Sequence, residues 1–392
     1  MKAEMDISSY LGRPTWAEID LTKLGSNVRE FRKFLPHSVK LLAVVKADGY
    51  GHGAKEAAST ALEEGASMLG VASLEEGIYL RQKGISAPVL IMGYTNPQQN
   101  IALLNKDLIP TIFSWEAAQS LSQQACSLGK RAAVHVKLDT GMGRLGLSDP
   151  REAVKFLEKV SLLPGIYLEG IYTHFAAADE KEKGFTRHQL SLFQNILTMC
   201  ANKGINVPLK HAANSAAALG LPETHLDMVR VGISLYGYYP SKDVKSELVS
   251  LLPVMSLKSR IIFLKRVREG TPISYGRTYL AGEDTTIATV PLGYADGYSR
   301  LLSNKGYMLV SGKRAPIAGR VCMDYTMLDL GKVSSAEEGD EVVAYGFQGS
   351  EEITADLAAD QLGTISYEVL CNLGSRVPRV YYRDGAVIDI KS

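Results

Sequence analysis

The chain is poor in cysteine, has no long apolar run and carries almost no net charge. Its four cysteines, Cys126, Cys200, Cys322 and Cys371, are scattered over 392 residues. That spacing excludes a disulfide framework and a thiolate metal site, and it reads as reduced thiols in a cytoplasmic protein. No apolar stretch approaches the roughly 20 residues that cross a bilayer, so no membrane association is expected. Residues 1–11 include Glu4 and Asp6 and have no apolar centre, so no secretory leader is expected there. Lys and Arg number 43 against 42 Asp and Glu, a net charge of +1. With no basic block and no aromatic-basic stripe, nucleic acid is not an expected partner. The seven histidines form no HExxH and no close pair, so no metal is expected.

What is present is ordinary globular composition, 46% hydrophobic and 22% charged, with length enough for two domains. Eight short apolar runs recur up to about residue 235: 41–47, 68–73, 88–93, 109–114, 132–139, 167–175, 208–213 and 228–233. Helix-like stretches separate most of them. Residues 54–64 are alanine-rich and stop at Gly65, and 115–128 lie between an N-cap Ser114 and a terminating Gly129. Residues 149–160 open on Asp-Pro and keep Ala153, Phe156, Leu157 and Val160 on one face, and 185–202 end before Gly204. A further helix, 23–35, precedes the first run. Eight alternating units predict an α/β fold, an N-terminal (β/α)8 TIM-type barrel whose strands are buried on both faces. Beyond residue 245 the runs 254–263, 285–291, 308–310, 325–330 and 341–345 are separated by glycine-rich turns, and helical periods vanish until 355–362. The expected division is a barrel over 1–245 followed by a mainly β C-terminal domain over 246–392.

Polar residues interrupt these runs at their C-terminal ends. Lys46 ends Leu41-Leu42-Ala43-Val44-Val45 and is followed by Ala47-Asp48-Gly49-Tyr50-Gly51-His52-Gly53. An ammonium at an apolar strand end is poorly solvated, which lowers its pKa toward the range where the amine is a nucleophile. Taken alone, Lys46 also reads as a lysine that snorkels into water. Lys137 lies in the fifth run, Thr173 and His174 end the sixth, His211, Asn214 and Ser215 close the seventh, and Arg230 interrupts the eighth ahead of Gly232-Ile233. In a closed parallel barrel these ends converge on one rim, and the loops after the last two strands are the usual phosphate site. Ser215 and the bare backbone of Gly232 suit phosphate oxygens there. An amine, a phosphate cradle, an arginine and a histidine on one rim point to pyridoxal 5'-phosphate. For Gly232 alone a tight turn and for His174 a satisfied core histidine are the plainer readings, and for Arg230 an internal ion pair ranks evenly with a functional role.

Gly141-Met142-Gly143-Arg144-Leu145-Gly146 spells the dinucleotide pattern GxGxxG, with Glu169 further on. It falls in the fifth unit of eight and carries an arginine in a variable slot, so it is read as a decoy.

The chain resembles the alanine racemases. The resemblance rests on Ala43–Gly53, Asp139–Gly146, Thr173-His174-Phe175, His211–Ser215, Met228-Val229-Arg230, Ile273–Gly276, Gly293–Tyr298, Gly319–Asp324 and Ile365–Glu368. They run in family order from about Arg13 to Tyr382. Val231 and Ser299 stand where many members have proline, which bears only on local backbone. The resemblance implies a pyridoxal-phosphate isomerase that interconverts L- and D-alanine, acts as a homodimer with shared active sites and supplies D-alanine for the cell wall.

It also implies roles. Lys46 bonds to the cofactor aldehyde and is one base, and Tyr275, from the partner subunit, is the other. Tyr50, Asn214, Ser215, Gly232, Ile233 and Tyr367 surround the phosphate. Arg230 donates to the ring nitrogen, with His174 beside it. Arg144 holds the substrate carboxylate or the cofactor phenolate, and the Met323 backbone amide reaches the substrate carboxylate from the other subunit. Lys137 is the position that family members often carry carbamylated, or that a bound anion such as chloride neutralises. Asp179, Tyr294, Arg300 and Arg320 are candidates for the access corridor. The rivals are a racemase of broader small-amino-acid specificity, a decarboxylase on a similar scaffold, an NAD-dependent oxidoreductase and a non-catalytic carrier of the cofactor.

Overall fold

The computed structural model describes residues 12–244, 247–333 and 335–391. Residues 1–11, where no leader is expected, and the expected boundary at 245/246 lie outside the described residues. The chain forms two compact units. One comprises Leu24–Gly49 and Ala54–Leu252; the other comprises residues 12–23, Tyr50–Gly53 and 253–391.

The first strand, β1 (Thr15–Asp20), belongs to the second unit. The first unit carries β2 (Lys40–Val44), β3 (Met68–Val71), β4 (Val89–Ile91), β5 (Ile109–Ile112), β6 (Ala132–Lys137), β7 (Ile166–Tyr172), β8 (Leu209–His211) and β9 (Met228–Val231). They pair in the order β8-β7-β6-β5-β4-β3-β2-β9. Asp227 N–H to Lys210 O and Arg230 N–H to Ala213 O, both 3.0 Å, close the ring between β8 and β9. The predicted barrel is therefore present, one strand in each of the eight apolar runs. Leu41, Leu42 and Ala43 are fully buried, as strands walled by side chains inside and helices outside must be.

The helices follow from local signals. Asp149 caps Pro150–Ser161 by accepting from Glu152 N–H at 2.9 Å, with proline at the first helical position. Ala153, Phe156, Leu157 and Val160 are its buried face, as their spacing predicts. Fully burying Leu157 and Val160 contributes roughly 1.5–3 kcal/mol each. The helix Leu74–Gln82 was not among the predicted ones. Its signal is a capping box between Ser73 and Glu76.

The second unit is mainly β. β1 lies inside an eight-stranded sheet, antiparallel to Met255–Arg260 and parallel to Arg379–Arg383. The predicted single strand 254–263 is two: Met255–Arg260 in the large sheet and Phe263–Val267 in a three-stranded one. The chain changes sheets at Ile261 and Ile262, whose amides bond to Asp340 O and Thr289 O. Continuous apolar character does not reveal that change of partner. Val267, Ile273, Ala281, Ile287 and Ala318 form a small core under the three-stranded sheet, with Tyr279 and Met327 packed on it. Among the described residues no helix is long and apolar enough to cross a membrane.

Candidate active site

The backbone after β2 makes a left-handed turn. Ala47, Asp48, Gly49 and Tyr50 have φ of 52°, 50°, 63° and 53°. Each non-glycine residue there costs about 1–2 kcal/mol, so the turn persists only with outside support. Glu76 supplies it. Its Oε1 accepts from Ala47 N–H and its Oε2 from Ala72 N–H, both at 2.7 Å. Asp48 Oδ1 accepts from Ala54 N–H at 2.8 Å. Half-buried Lys46 is thus presented at the end of β2 by a strained segment tied to the next helix. Glu76→Ala leaves these amides without their acceptor and is expected to cost about 2–4 kcal/mol. Glu76→Gln keeps one acceptor oxygen and should cost less. Denaturant midpoints of the two variants check the order.

Lys46, Lys137, Arg144, Tyr172, His174 and Arg230 line one cavity of about 190 Å³ at the C-terminal ends of the strands. A second cavity, of about 230 Å³ by the starts of β5 and β6, holds none of the predicted residues. Arg230 is 3% exposed. Its Nη1 donates to His211 Nδ1 at 2.9 Å, and its Nη2 donates to Thr173 O and Ala212 O, both at 2.8 Å. Nη2 also lies 3.2 Å from His174 Nδ1. Burial pushes the guanidinium down to about 10, which leaves it charged at neutral pH. Burial, then the positive charges of Arg230, Arg144, Lys137 and Lys46, holds His174 well below the ordinary imidazole range. A neutral His174 whose Nδ1 accepts from Arg230 carries its proton on Nε2.

Lys137 is buried, and its Nζ donates to Leu138 O at 2.6 Å. Burial first, then the charges of Arg230 and Arg144, pushes the amine down to about 7 against the opposing pull of Asp139. Tyr172 was missed from the sequence. Its ring stacks on His211 at 4.7 Å, with Lys137 Nζ 5.3 Å and the Arg230 guanidinium carbon 5.2 Å from its centroid. The Tyr172 ring thus lies beside both basic groups and offers each a favourable π contact.

The proposed phosphate residues of the barrel sit together. Asn214 caps the helix Ser215–Gly220 by accepting from Ala217 N–H at 3.0 Å. Ser215 Oγ accepts from Gly232 N–H at 2.9 Å, which leaves the hydroxyl hydrogen to donate. Gly232 leads directly into the short 3₁₀ turn Ile233–Tyr236.

Tyr50, Tyr275, Met323 and Tyr367 belong to the other unit. Tyr50 is buried, its ring centroid 6.1 Å from that of Tyr367, and burial raises its phenol well above the usual range. Tyr275 is 69% exposed on a turn in which Ser274, Gly276 and Arg277 all have positive φ. Ser274 Oγ anchors that turn by donating to Arg320 O at 2.7 Å. Met323 is also exposed, and its carbonyl accepts from Ala295 N–H at 3.0 Å.

A model of the alanine racemase N-terminal domain matches residues 19–240, and one of the C-terminal domain matches 254–381. The chain belongs to the alanine racemase family. It is 47% identical over 380 residues to alanine racemase 2 of Caldanaerobacter subterraneus subsp. tengcongensis, covering 97% of this chain and 98% of that one. It is 48% identical over 368 residues to the alanine racemase of Desulforamulus reducens, covering 94% and 99%. Among solved structures, the alanine racemase of Clostridium difficile 630 superposes with a TM-score of 0.93 at 42% identity, covering 97% and 99%. That of Bacillus anthracis with bound L-Ala-P gives 0.90 at 38%, covering 96% and 97%.

Within this racemase chain the glycine motif has a local role. Asp139 accepts from the amides of Gly141, Met142, Gly143 and Arg144 at 3.0, 2.8, 3.1 and 3.1 Å. Those are the donors a pyrophosphate would need, and a carboxylate of the same chain already occupies them. Burial would raise that carboxyl, but the amide hydrogen bonds and Lys137 outweigh it and hold it low. Helix Pro150–Ser161 begins well past the last glycine, so its N-terminus does not follow the motif as a dinucleotide site requires.

Proposed function

We propose that the protein interconverts L- and D-alanine with pyridoxal 5'-phosphate, in a cytoplasmic homodimer whose active sites are shared, and that it supplies D-alanine for cell-wall peptidoglycan. The observation that carries the reading is the convergence of Lys46 and a buried, charged Arg230 on one cavity. The donor set fits the cofactor: an amine for its aldehyde, a guanidinium for its ring nitrogen, and the Ser215 hydroxyl with the Gly232 and Ile233 backbone for its phosphate. When bound, pyridoxal phosphate supplies an electron sink for charge developing at the substrate α-carbon.

The barrel unit would hold the cofactor with Lys46 at one face and Asn214 toward the phosphate; Tyr50 and Tyr367, of the other unit, are proposed as further phosphate residues. Arg230 donates a hydrogen bond and cannot give up its proton, so it limits the sink and keeps negative charge near the α-carbon. That favours reprotonation at the same carbon over transamination. Racemisation needs acid/base groups on opposite faces. Lys46 would handle the proton on the D-face, and Tyr275 of the partner subunit the one on the L-face. Arg144 and the Met323 amide would orient the substrate carboxylate. The exposure of Tyr275 and Met323, an aromatic and a thioether held on ordered turns, supports contact with a second subunit. Incubation with L-alanine in heavy water tests the reading. Formation of D-alanine deuterated at the α-carbon is the expected result; carbon dioxide release with no D-alanine would replace it with decarboxylation.

Lys137 is proposed as a carbamate. An amine near 7 is about half neutral at pH 7; its nitrogen attacks the carbon of carbon dioxide and one proton leaves to solvent. Uptake of 13C-bicarbonate, seen as a carbamate carbon by NMR, should rise as pH increases through about 7 and vanish in Lys137→Ala. The linkage has a definite sign. The folded state binds fewer protons than the unfolded one between about 7 and the ordinary 10.5, so this lysine opposes folding most below 7 and the cost fades as pH rises.

A further inference from the structure

A buried chain of hydrogen bonds leaves the cavity through the barrel interior. Arg230 Nη1 lies 2.9 Å from His211 Nδ1, His211 Nε2 lies 2.9 Å from His135 Nδ1, and His135 Nε2 lies 3.2 Å from Glu169 Oε2. Both histidines are fully buried, whereas the Glu169 side chain is 24% exposed. Glu169 reaches inward because the β6–β7 pairing shifts register there: Val134 faces Leu168 and His135 faces Gly170. The extra residue of this bulge is Glu169. Gly170 makes room for the ring, since a Cβ there would come within 2.5 Å of His135 Nδ1 and Cε1.

The direction of every bond follows from one end. A guanidinium only donates, so His211 Nδ1 accepts. Burial, above all, holds both imidazoles below their ordinary range, and both are therefore neutral. A neutral His211 that accepts at Nδ1 carries its proton on Nε2 and donates it to His135 Nδ1. By the same step His135 carries its proton on Nε2 and donates to Glu169. The chain cannot deliver protons to the cavity, because each donor points away from it and the cavity end has no acceptor. It can orient and polarise. A carboxylate makes His135 a stronger acceptor, which makes His211 a stronger acceptor, which fixes the guanidinium.

We propose that Glu169 is a remote positioning residue for Arg230, acting through the locked tautomers of His135 and His211. The tautomer assignment stands on the hydrogen bonds alone; its consequence for turnover rests on the racemase reading above. The test uses the full-length protein labelled with 15N-histidine, with and without pyridoxal phosphate. The expected result is that both rings have protonated Nε2 and bare Nδ1 in the wild type and in Glu169→Gln, whose amide oxygen still accepts. In Glu169→Leu the Arg230 end still sets both tautomers, but the His135 Nε2–H loses its acceptor, so its proton and nitrogen resonances should shift upfield and those of the His211 Nε2–H should follow to a smaller extent. In the same variant kcat should fall about tenfold with KM within about twofold, while Glu169→Gln retains most of the rate. A protonated His211 Nδ1 in the wild type, or ring nitrogens in Glu169→Leu unchanged from wild type, would overturn the proposal. If Glu169→Leu does not fold, the wild-type assignment and the Glu169→Gln spectrum still decide it. Absence of alanine racemisation would sink the racemase reading yet leave the ring-nitrogen result intact, so the two failures are distinguishable.

Discussion

Lys46→Ala is expected to abolish racemisation, by at least about 10⁴-fold, and to remove the visible absorbance of bound pyridoxal phosphate. The size follows from two roles in one atom. The amine would anchor the cofactor covalently, and it would return or remove the α-proton on one face. The cavity itself should survive, because contacts of backbone amides to Glu76 and Asp48 hold the turn that presents Lys46. The purified variant should therefore melt close to the wild type yet stay colourless after dialysis against pyridoxal phosphate. A coloured Lys46→Ala protein with measurable turnover would remove this amine from the mechanism.

Tyr275→Ala is expected to behave differently. The colour should remain, since no role in holding the cofactor is proposed for Tyr275, while proton abstraction from L-alanine should fall by about 10²–10⁴-fold. Exchange of the α-proton of D-alanine with solvent should be affected less, because Lys46 would still act on that face. Stability should change little: the side chain is mostly exposed within its own unit, and the turn depends on Ser274 and backbone geometry. Single-turnover exchange from each enantiomer in heavy water measures the asymmetry. Undiminished L-to-D conversion would eliminate Tyr275 as a base.

The barrel was legible because each strand is an unbroken apolar run with polar residues at its C-terminal end. Parallel barrel strands need that pattern, being covered on both faces. Helices with side-chain caps, such as Pro150–Ser161, were legible for the same local reason. β1 was not. Its six residues, TWAEID, have neither strong alternation nor a hairpin signal, and their partners lie more than 230 residues away. The split of 254–263 between two sheets was hidden for a like reason, since a strand's partners are chosen by distant backbone.

The candidate site divides the same way. Lys46, His174 and Arg230 were legible from their positions at strand ends and Arg144 from the family resemblance, and the barrel brings them to one cavity. Tyr172 and Glu169 were not assigned a role, because their importance lies in what they touch. Tyr172 offers its ring to two cations and a histidine. Glu169, noticed only as a possible end to a dinucleotide pattern, turns inward through a bulge that no residue type announces.

The amino-acid order alone determined the eight-unit alternation, the convergence of strand-end chemistry on one rim and the amine that leads the reading. Those properties are local, and periodicity and side-chain type record them directly. Tertiary structure alone decided three things: the left-handed turn behind Lys46, the neutral state of the buried histidines and the depressed amine of Lys137. Each depends on solvent exclusion or on support from residues remote in the chain, and neither is written in any one segment.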